Sequence, residues 1–403
     1  MTKSGVSFIA SGVFVYFLAS QSQIGWLYLF DTVIWSLLLL SVILPWYNLR
    51  SLRVERQVLL SPSSARHWQL GGSLEDEEVE VRLKVTNLGR LARYFIRVVE
   101  ECPFDQPGRG KRVFFITRLK PKSTVALSYT ATCYRRGHYP SASTAIESSG
   151  PLGLMVRRRV LRPTLKLTVY PRYYPMEGLP AAETAWAEWG HGARSSAADE
   201  FYGSREYQPG EPLKHIHWRN TARLGYFMLK QFERQSQGGL TVAFEAGRDF
   251  GVGRETTLEY SIKVAASLAR LAADCGHNID IITGETPLRN AGWQEAMEYL
   301  AHLEAGTKTS LAELEAPGPE RTLVVIVPAT ETHLIPTLAQ LARRTRRLVV
   351  VLLRGFAPDE MPDVFQSGLK RENLDIVSCV PGGLEEAIEA LGALLSADKI
   401  AVS

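Results

Sequence analysis

Cysteine is scarce in this chain. Cys102, Cys133, Cys275 and Cys379 are spread over 403 residues, with no CxxC spacing and no Cys/His cluster. That spacing excludes a recognisable zinc motif and gives no disulfide framework. It fits reduced thiols in a cytosolic setting. A surplus of either charge is also missing: 46 Lys and Arg stand against 42 Asp and Glu, for a net +4. A balance so close to neutral gives no electrostatic footprint of a nucleic-acid binder. No GxxxxGK[ST] phosphate loop and no GxSxG nucleophile elbow occur, so the signatures of a P-loop NTPase and of an α/β-hydrolase are absent. "GVGRET" (251–256) lacks the third glycine of a dinucleotide-binding loop and is expected to be a turn ahead of a helix.

Charge is scarcest near the N-terminus. "GVSFIASGVFVYFLAS" (5–20) has none, and "IGWLYLFDTVIWSLLLLSVILPWYNL" (24–49) has only Asp31. A helix crosses the hydrocarbon core with about 20 apolar residues. The second run is long enough, and the first reaches that length with its flanking residues. "SQSQ" (20–23) is expected to form the turn between them, and Trp26, Tyr28, Trp46 and Tyr47 fall at interfacial depths. Lys3 precedes the first run, Arg50, Arg53 and Arg56 follow the second, and the turn has no cation. By the positive-inside rule both ends of the hairpin face the cytoplasm, as does all that follows residue 50. The expectation is a multi-pass protein of the inner (plasma) membrane with cytoplasmic soluble domains. If residues 1–20 were instead a cleaved signal peptide, the second span would still leave the main domains inside. Asp31 is expected to be an interfacial acid near the turn rather than a functional intramembrane carboxylate.

After the hairpin the period falls to two. "VEVRLKVTN" (79–87), "RYFIRVVEE" (93–101), "RVFFITRL" (112–119), "TVALSYTATCY" (124–134) and "PTLKLTVYP" (163–171) are separated by turn sequences. This spacing predicts an antiparallel β-sandwich over residues 51–175. From residue 239 to 403 strands alternate with helices. "LTVAFEA" (240–246), "NIDIITG" (278–284), "RTLVVIVPAT" (321–330), "RRLVVVLLRG" (346–355) and "NLDIVSCVPG" (373–382) are strands. Amphipathic runs at 255–276, 293–305, 333–345 and 384–396 are helices. The pattern predicts an α/β domain with a doubly wound parallel sheet, whose working surface lies at the carboxyl ends of its strands. The fold class is therefore multidomain: transmembrane hairpin (1–50), β-sandwich, a connecting region (176–238) and an α/β domain.

Several local features have ordinary explanations. His215 and His217 in "HIHW" would share one strand face, but no third metal ligand stands at a recognisable spacing. "RRR" (157–159), with Arg162 and Lys166, is a basic patch suited either to a solvated strand end or to anionic headgroups beside the hairpin. Cys133 with His138 nearby suits a buried structural thiol better than a nucleophile.

The densest polar stretch is "REYQPGEPLKHIHWRNTARLGYFMLKQFE" (205–233). Two designs fit it. It could be a joint of buried ion pairs, with Arg205, Glu211, Arg223 and Glu233 as partners and Trp218 as the apolar anchor. It could equally form a pocket built from Tyr207, Glu211, His217 and Arg223. The joint is the leading expectation, with Tyr207, Gly210 and His217 completing the constellation.

The same stretch resembles the signature of the bacterial domain of unknown function 58 family. "RRGHYPSASTAIESSGPLGL" (135–154) followed by "TVYPR" (168–172) is similar to a second passage of that family. Three positions depart from the family pattern: Glu211 for Asp, Lys214 for Arg, and Ser149-Gly150 where Asp precedes the proline. The resemblance implies a von Willebrand factor A-like C-terminal domain. It also implies association with MoxR-type AAA+ ATPases. Metal-binding domains of that wider fold carry D-x-S-x-S after the first strand, which ligates a hard cation. The matching positions here are Glu245, Gly247 and Asp249, and Pro328 and Ala329 stand where another ligand is expected. No magnesium site of the usual kind is expected, and no cofactor. The resulting expectation is a membrane-anchored adaptor without catalysis of its own. The alternative is a hydrolase of envelope or peptide substrates.

Overall fold

Two antiparallel helices begin the chain, α1 (Lys3–Ser22) and α2 (Gly25–Arg50). At 1.5 Å per residue they are about 30 and 39 Å long, enough to cross a bilayer. In the computed structural model residues 2–60, 70–150, 152–176, 200–206, 218–225, 227–233, 240–284, 286–306, 311, 322–345, 347–360, 362–369 and 374–396 are described. The polar 20–23 stretch is less of a turn than expected. Helix α1 continues through Ser22, and the reversal falls on Gln23, whose left-handed backbone (φ 51°) lets its N–H bond Ala19 O. Ser20 and Ser22 hydroxyls return to the carbonyls of Phe17 and Leu18. Such bonds satisfy hydroxyls where water is excluded. Asp31, expected as an interfacial acid near the turn, lies in the second turn of α2. It is 6% exposed, and its Oδ1 has no hydrogen-bond partner among the described residues.

Helix α2 leads directly into β1 (Leu52–Leu60), which pairs with β3 (Glu78–Asn87). β3 alternates buried and solvent-facing residues along its length, and Val79, Val81, Leu83 and Val85 all enter the core. β6 (Thr124–Thr132) completes this sheet in the order β1-β3-β6. A second sheet has the order β5-β4-β8-β9: β5 (Lys111–Leu119), β4 (Arg93–Glu101), β8 (Thr144–Ser148) and β9 (Arg157–Leu161). A third, β2-β10-β7, joins β2 (Ser73–Leu74), β10 (Thr164–Tyr170) and β7 (Gly137–Ser141). Leu83, Val85, Ile96, Val98, Ile116 and Ile146 pack between the sheets, and Leu49 of α2 joins them. The hairpin and these sheets form one compact unit, Met1–Tyr170.

One charged pair is sealed inside that core. Arg56 and Glu100 side chains are 1% and 0% exposed and in direct contact through Arg56 Nη2. Thr144 Oγ1 donates to Glu100, and Tyr129 OH donates to Glu100 Oε1 at 3.3 Å. Burial pulls the Arg56 pKa below its ordinary value.

The second unit, Pro171–Ser403, contains a two-stranded hairpin and a six-stranded sheet. The hairpin pairs β11 (Glu200–Glu206) with β12 (Met228–Glu233), with α3 (Trp218–Leu224) between them in sequence. After it come β13 (Leu240–Phe244), a small ladder of β14 (Gly251–Val252) with β15 (Glu255–Thr256), and helix α4 (Thr257–Asp274). Then follow β16 (Ile279–Thr283), β17 (Leu288–Ala291), α5 (Trp293–His302), β18 (Thr322–Pro328) and α6 (Ile335–Arg344). β19 (Arg347–Leu353), α7 (Pro362–Gly368), β20 (Leu374–Cys379) and α8 (Leu384–Ser396) end the series. The sheet order is β17-β16-β13-β18-β19-β20, all parallel except the edge strand β17. Every residue of β13 and β18 is buried, as the uninterrupted apolar runs require of strands covered on both faces.

Candidate functional site

The topology of this sheet selects one place. β13 is followed through α4 by β16 on one side, whereas β18 lies on its other side. The strand order therefore reverses between β13 and β18, and the crevice beyond their carboxyl ends is where open α/β sheets place ligands. Two loops meet there: 245–250 after Phe244, and 329–334 after Pro328.

The side chains of these loops are held by close neighbours. Glu245 Oε1 accepts from Leu311 N at 2.6 Å. Asp249 Oδ1 accepts from Leu258 N at 3.0 Å and from Thr257 Oγ1 at 3.3 Å. Asp249 thus supplies an acceptor to the first turn of α4, beside Thr256, whose Oγ1 takes the Glu259 N–H. Both contacts satisfy N–H groups that a helix start leaves without intrahelical acceptors. Across the crevice Glu331 is 6% exposed. It lies 3.1 Å from His333 Nδ1 and 3.7 Å from Arg248 Nη1. Among the described residues no three His, Cys, Asp or Glu side chains are grouped as a metal would need. The degenerate cation positions Glu245 and Asp249 each accept from a backbone donor, and Gly247 has no side chain to offer. Glu331 and His333 went unnoticed in the sequence because neither belongs to a spaced motif.

Directly after the 245–250 loop, the β14–β15 ladder carries Val252, which is 86% exposed. The ladder is pinned by Gly251, whose positive φ (110°) and backbone contact with Glu255 leave no space for a Cβ. In the first turn of α4, Tyr260 OH donates to Glu255 and accepts from Gly382 N at 2.7 Å. Glu360 Oε1 accepts from Phe356 N and Ala357 N at 2.8 and 2.9 Å. The strand-end loops are thus braced on carboxylates and a phenol.

The signature constellation is only partly described. Tyr207, Gly210, Glu211 and His217, with His215, lie outside the described residues. Arg205 and Glu233 stand near opposite ends of the β11–β12 hairpin, opposite Leu229 and Glu200 respectively. Trp218 opens α3. The buried anchor expected of Trp218 is not found: the ring is 65% exposed and meets Phe227 edge-on at 6.4 Å. Arg223 is exposed at the other end of the same helix.

On the first unit, a cavity of about 640 Å³ is lined by Glu101, Cys102, Lys111, Ser143 and Arg162 among others. Burial raises the Cys102 pKa, which keeps this thiol protonated. Cys133 and His138 do not form a reactive pair. Burial pushes the Cys133 thiol up to about 12, while His138 Nδ1 is 3.1 Å from Thr168 Oγ1.

Residues 203–379 match the family model described as "Protein of unknown function DUF58". That segment begins in β11 and ends with β20, so it takes in the hairpin and the six-stranded sheet. No curated protein matches the chain. Among solved structures, the CARDB domain of a Pyrococcus furiosus protein is 15% identical, covering 29% of this chain and 86% of its own, with a TM-score of 0.20. A Vibrio harveyi GH20 exo-β-N-acetylglucosaminidase is 11% identical over 84% of this chain and 56% of its own, with a TM-score of 0.22. The Pseudomonas fluorescens alkylpurine DNA glycosylase AlkC is 11% identical over 29% and 30%, with a TM-score of 0.16. Superpositions this poor carry no argument about fold or activity.

Proposed function

From the match of residues 203–379 to the domain of unknown function 58 family model, we propose that the protein is a membrane-anchored adaptor whose α/β unit presents a binding face for a partner protein. The N-terminal helical hairpin anchors it in the inner membrane, with both soluble units on the cytoplasmic side. The α/β unit is von Willebrand factor A-like, a reading supported by its central parallel strands, its antiparallel edge strand β17 and its order β17-β16-β13-β18-β19-β20. The partner this reading assigns is a MoxR-type AAA+ ATPase.

One observation carries the adaptor reading over chemistry: of the carboxylates at the strand-end crevice, Glu245 and Asp249 accept from backbone N–H groups, and Glu331 is paired with His333 and Arg248. Acids held this way shape a surface. General acid–base work needs a group aimed at a substrate's proton. Val252 adds an apolar knob to the same face, the kind of exposed residue that becomes buried in an interface.

The test is affinity capture from solubilised membranes with and without ATP, comparing wild type with Val252→Asp. Recovery of an AAA+ ATPase by wild type and its loss in the variant supports the adaptor. Absence of such a partner, together with turnover of an envelope or peptide substrate, replaces it with a hydrolase.

A further inference from the structure

The first unit holds its membrane hairpin in a fixed attitude, and the contacts that do so lie around one loop. Asn48 Nδ2 donates to Tyr94 O at 3.1 Å and to Ser148 Oγ at 3.3 Å. Arg159 Nη1 donates to Leu49 O at 3.1 Å, at the end of α2. On the other helix Thr2 Oγ1 donates to Leu154 O at 2.8 Å, and a Cβ at Gly5 would stand 2.3 Å from that same carbonyl. Leu154 is 6% exposed and packs with Ile34 and Leu38. The loop after β8 is therefore wedged against the start of α1 and the middle of α2.

Beside this wedge the hairpin has an apolar groove of about 380 Å³, with Gly5, Ile9, Trp35, Leu38 and Met155 in its walls. Two residues after Met155, β9 begins with Arg157. Pairing fixes where β9 side chains go. Arg157 lies opposite Ser148 and Arg159 opposite Ile146, whereas Arg158 lies opposite Glu147. Paired residues of an antiparallel ladder project from the same face. Ser148 and Ile146 are buried on the hairpin side, so Arg157 and Arg159 share that side. Arg158 projects from the other side, 3.6 Å from Glu147. Arg159 is occupied by Leu49 O. Arg157 is exposed and, among the described residues, has no hydrogen bond or ion pair.

A cation without a counter-charge among the described residues thus follows two positions after Met155 of the groove wall, on the hairpin side of β9. Resting on the membrane-anchor reading above, we propose that this groove binds one anionic phospholipid of the cytoplasmic leaflet. An acyl chain lies along Ile9, Trp35 and Leu38, and the phosphate sits at Arg157. Acyl chains match the groove because it is almost wholly apolar and opens between two helices of membrane-crossing length. The phosphate matches Arg157 because a planar guanidinium at a membrane surface is an efficient phosphate donor. The exposed side chains Leu152 and Val156 flank the wedge and extend the apolar contact toward the headgroups.

The test uses the full-length protein, purified in detergent, stripped of lipid and titrated with phosphatidylglycerol or with phosphatidylcholine of identical chains. Binding is followed by native mass spectrometry and by the rise in melting temperature. Wild type should retain one phosphatidylglycerol and prefer it to phosphatidylcholine. Arg157→Glu should weaken phosphatidylglycerol binding by about tenfold, since each surface Arg contributes roughly a fivefold attraction and reversal does more than remove it. Arg158→Glu, on the opposite face, should bind like wild type. Excess inorganic phosphate should neither compete nor raise the melting temperature. Equal binding of the two lipids, an Arg157→Glu variant indistinguishable from wild type, or stabilisation by phosphate alone would each overturn the lipid site. Alkaline carbonate extraction separates this from the anchor reading. Release of wild type from membranes removes the anchor and the lipid site together, whereas retention without lipid preference removes the lipid site alone.

Discussion

At the scale of single residues, the Arg56–Glu100 pair decides more than any surface charge. Both side chains are shut away from water, and Arg56 Nε and Nη1 have no hydrogen-bond partner among the described residues. A buried pair gains little over a well-packed apolar replacement, yet removing one member leaves an uncompensated charge. Glu100→Gln should therefore destabilise the protein by about 3–5 kcal/mol, read by chemical denaturation in detergent. An Arg56→Met, Glu100→Leu double replacement should recover most of that loss, and a double variant as unstable as the single one would contradict this account. Trp218 makes the opposite case. Its ring is mostly in solvent, so Trp218→Ala should shift stability by no more than about 0.5 kcal/mol. A loss several times larger, in a thermal melt of the two proteins side by side, would restore the buried-anchor reading.

At the scale of elements, the sequence was most informative where burial follows one period. β3 shows its alternation on every other residue, and β18 and β19 show the unbroken apolar runs of covered strands. Five of the sandwich's strands and the main helices of the α/β unit were legible for that reason. β7, β8 and β9 were not, because each has only five residues and none carries a clean alternation. The antiparallel edge strand β17 was missed because "LRNA" is short and polar on one side. At the candidate site Glu245 and Asp249 were legible from family resemblance alone, whereas Glu331 needed the fold to bring it to the crevice. The wedge between hairpin and sandwich was likewise invisible, since it depends on Gly5 meeting a carbonyl about 150 positions away. It gives a direct test of the packing. A β-carbon at Gly5 would meet Leu154 O at 2.3 Å, with backbone rather than a yielding side chain in its path. Gly5→Val should lower stability by about 1–3 kcal/mol, the usual range for overpacking a tight contact. Gly25→Val is the control, because nothing lies within 4 Å of a Cβ there. Equal melting temperatures for the two variants would remove the wedge.

At the scale of the whole molecule, the four cysteines test both the fold and its side of the membrane. Cys102, Cys133 and Cys379 are buried and Cys275, after α4, is partly exposed. Burial raises the thiols of Cys133 and Cys379 from the ordinary 9.0 to about 12. The thiolate is the reacting form, so these two stay protonated and inert at neutral pH. The sign of the linkage follows. A thiol whose pKa is higher folded than unfolded adds stability in full below pH 9.0, and that stability is lost as pH rises toward about 12. Labelling should therefore be done near pH 8, inside the window where the fold protects them. A membrane-impermeant maleimide should then modify Cys275 alone in inside-out vesicles, and all four cysteines after denaturation. In sealed right-side-out cells it should modify none if, as proposed above, the soluble units lie on the cytoplasmic side of the membrane. Labelling of Cys275 from outside intact cells would invert the topology and place the strand-end crevice beyond reach of a cytoplasmic ATPase. Labelling of Cys133 in the native protein would instead contradict the sandwich core, since that thiol packs with Val79, Phe104 and Val169.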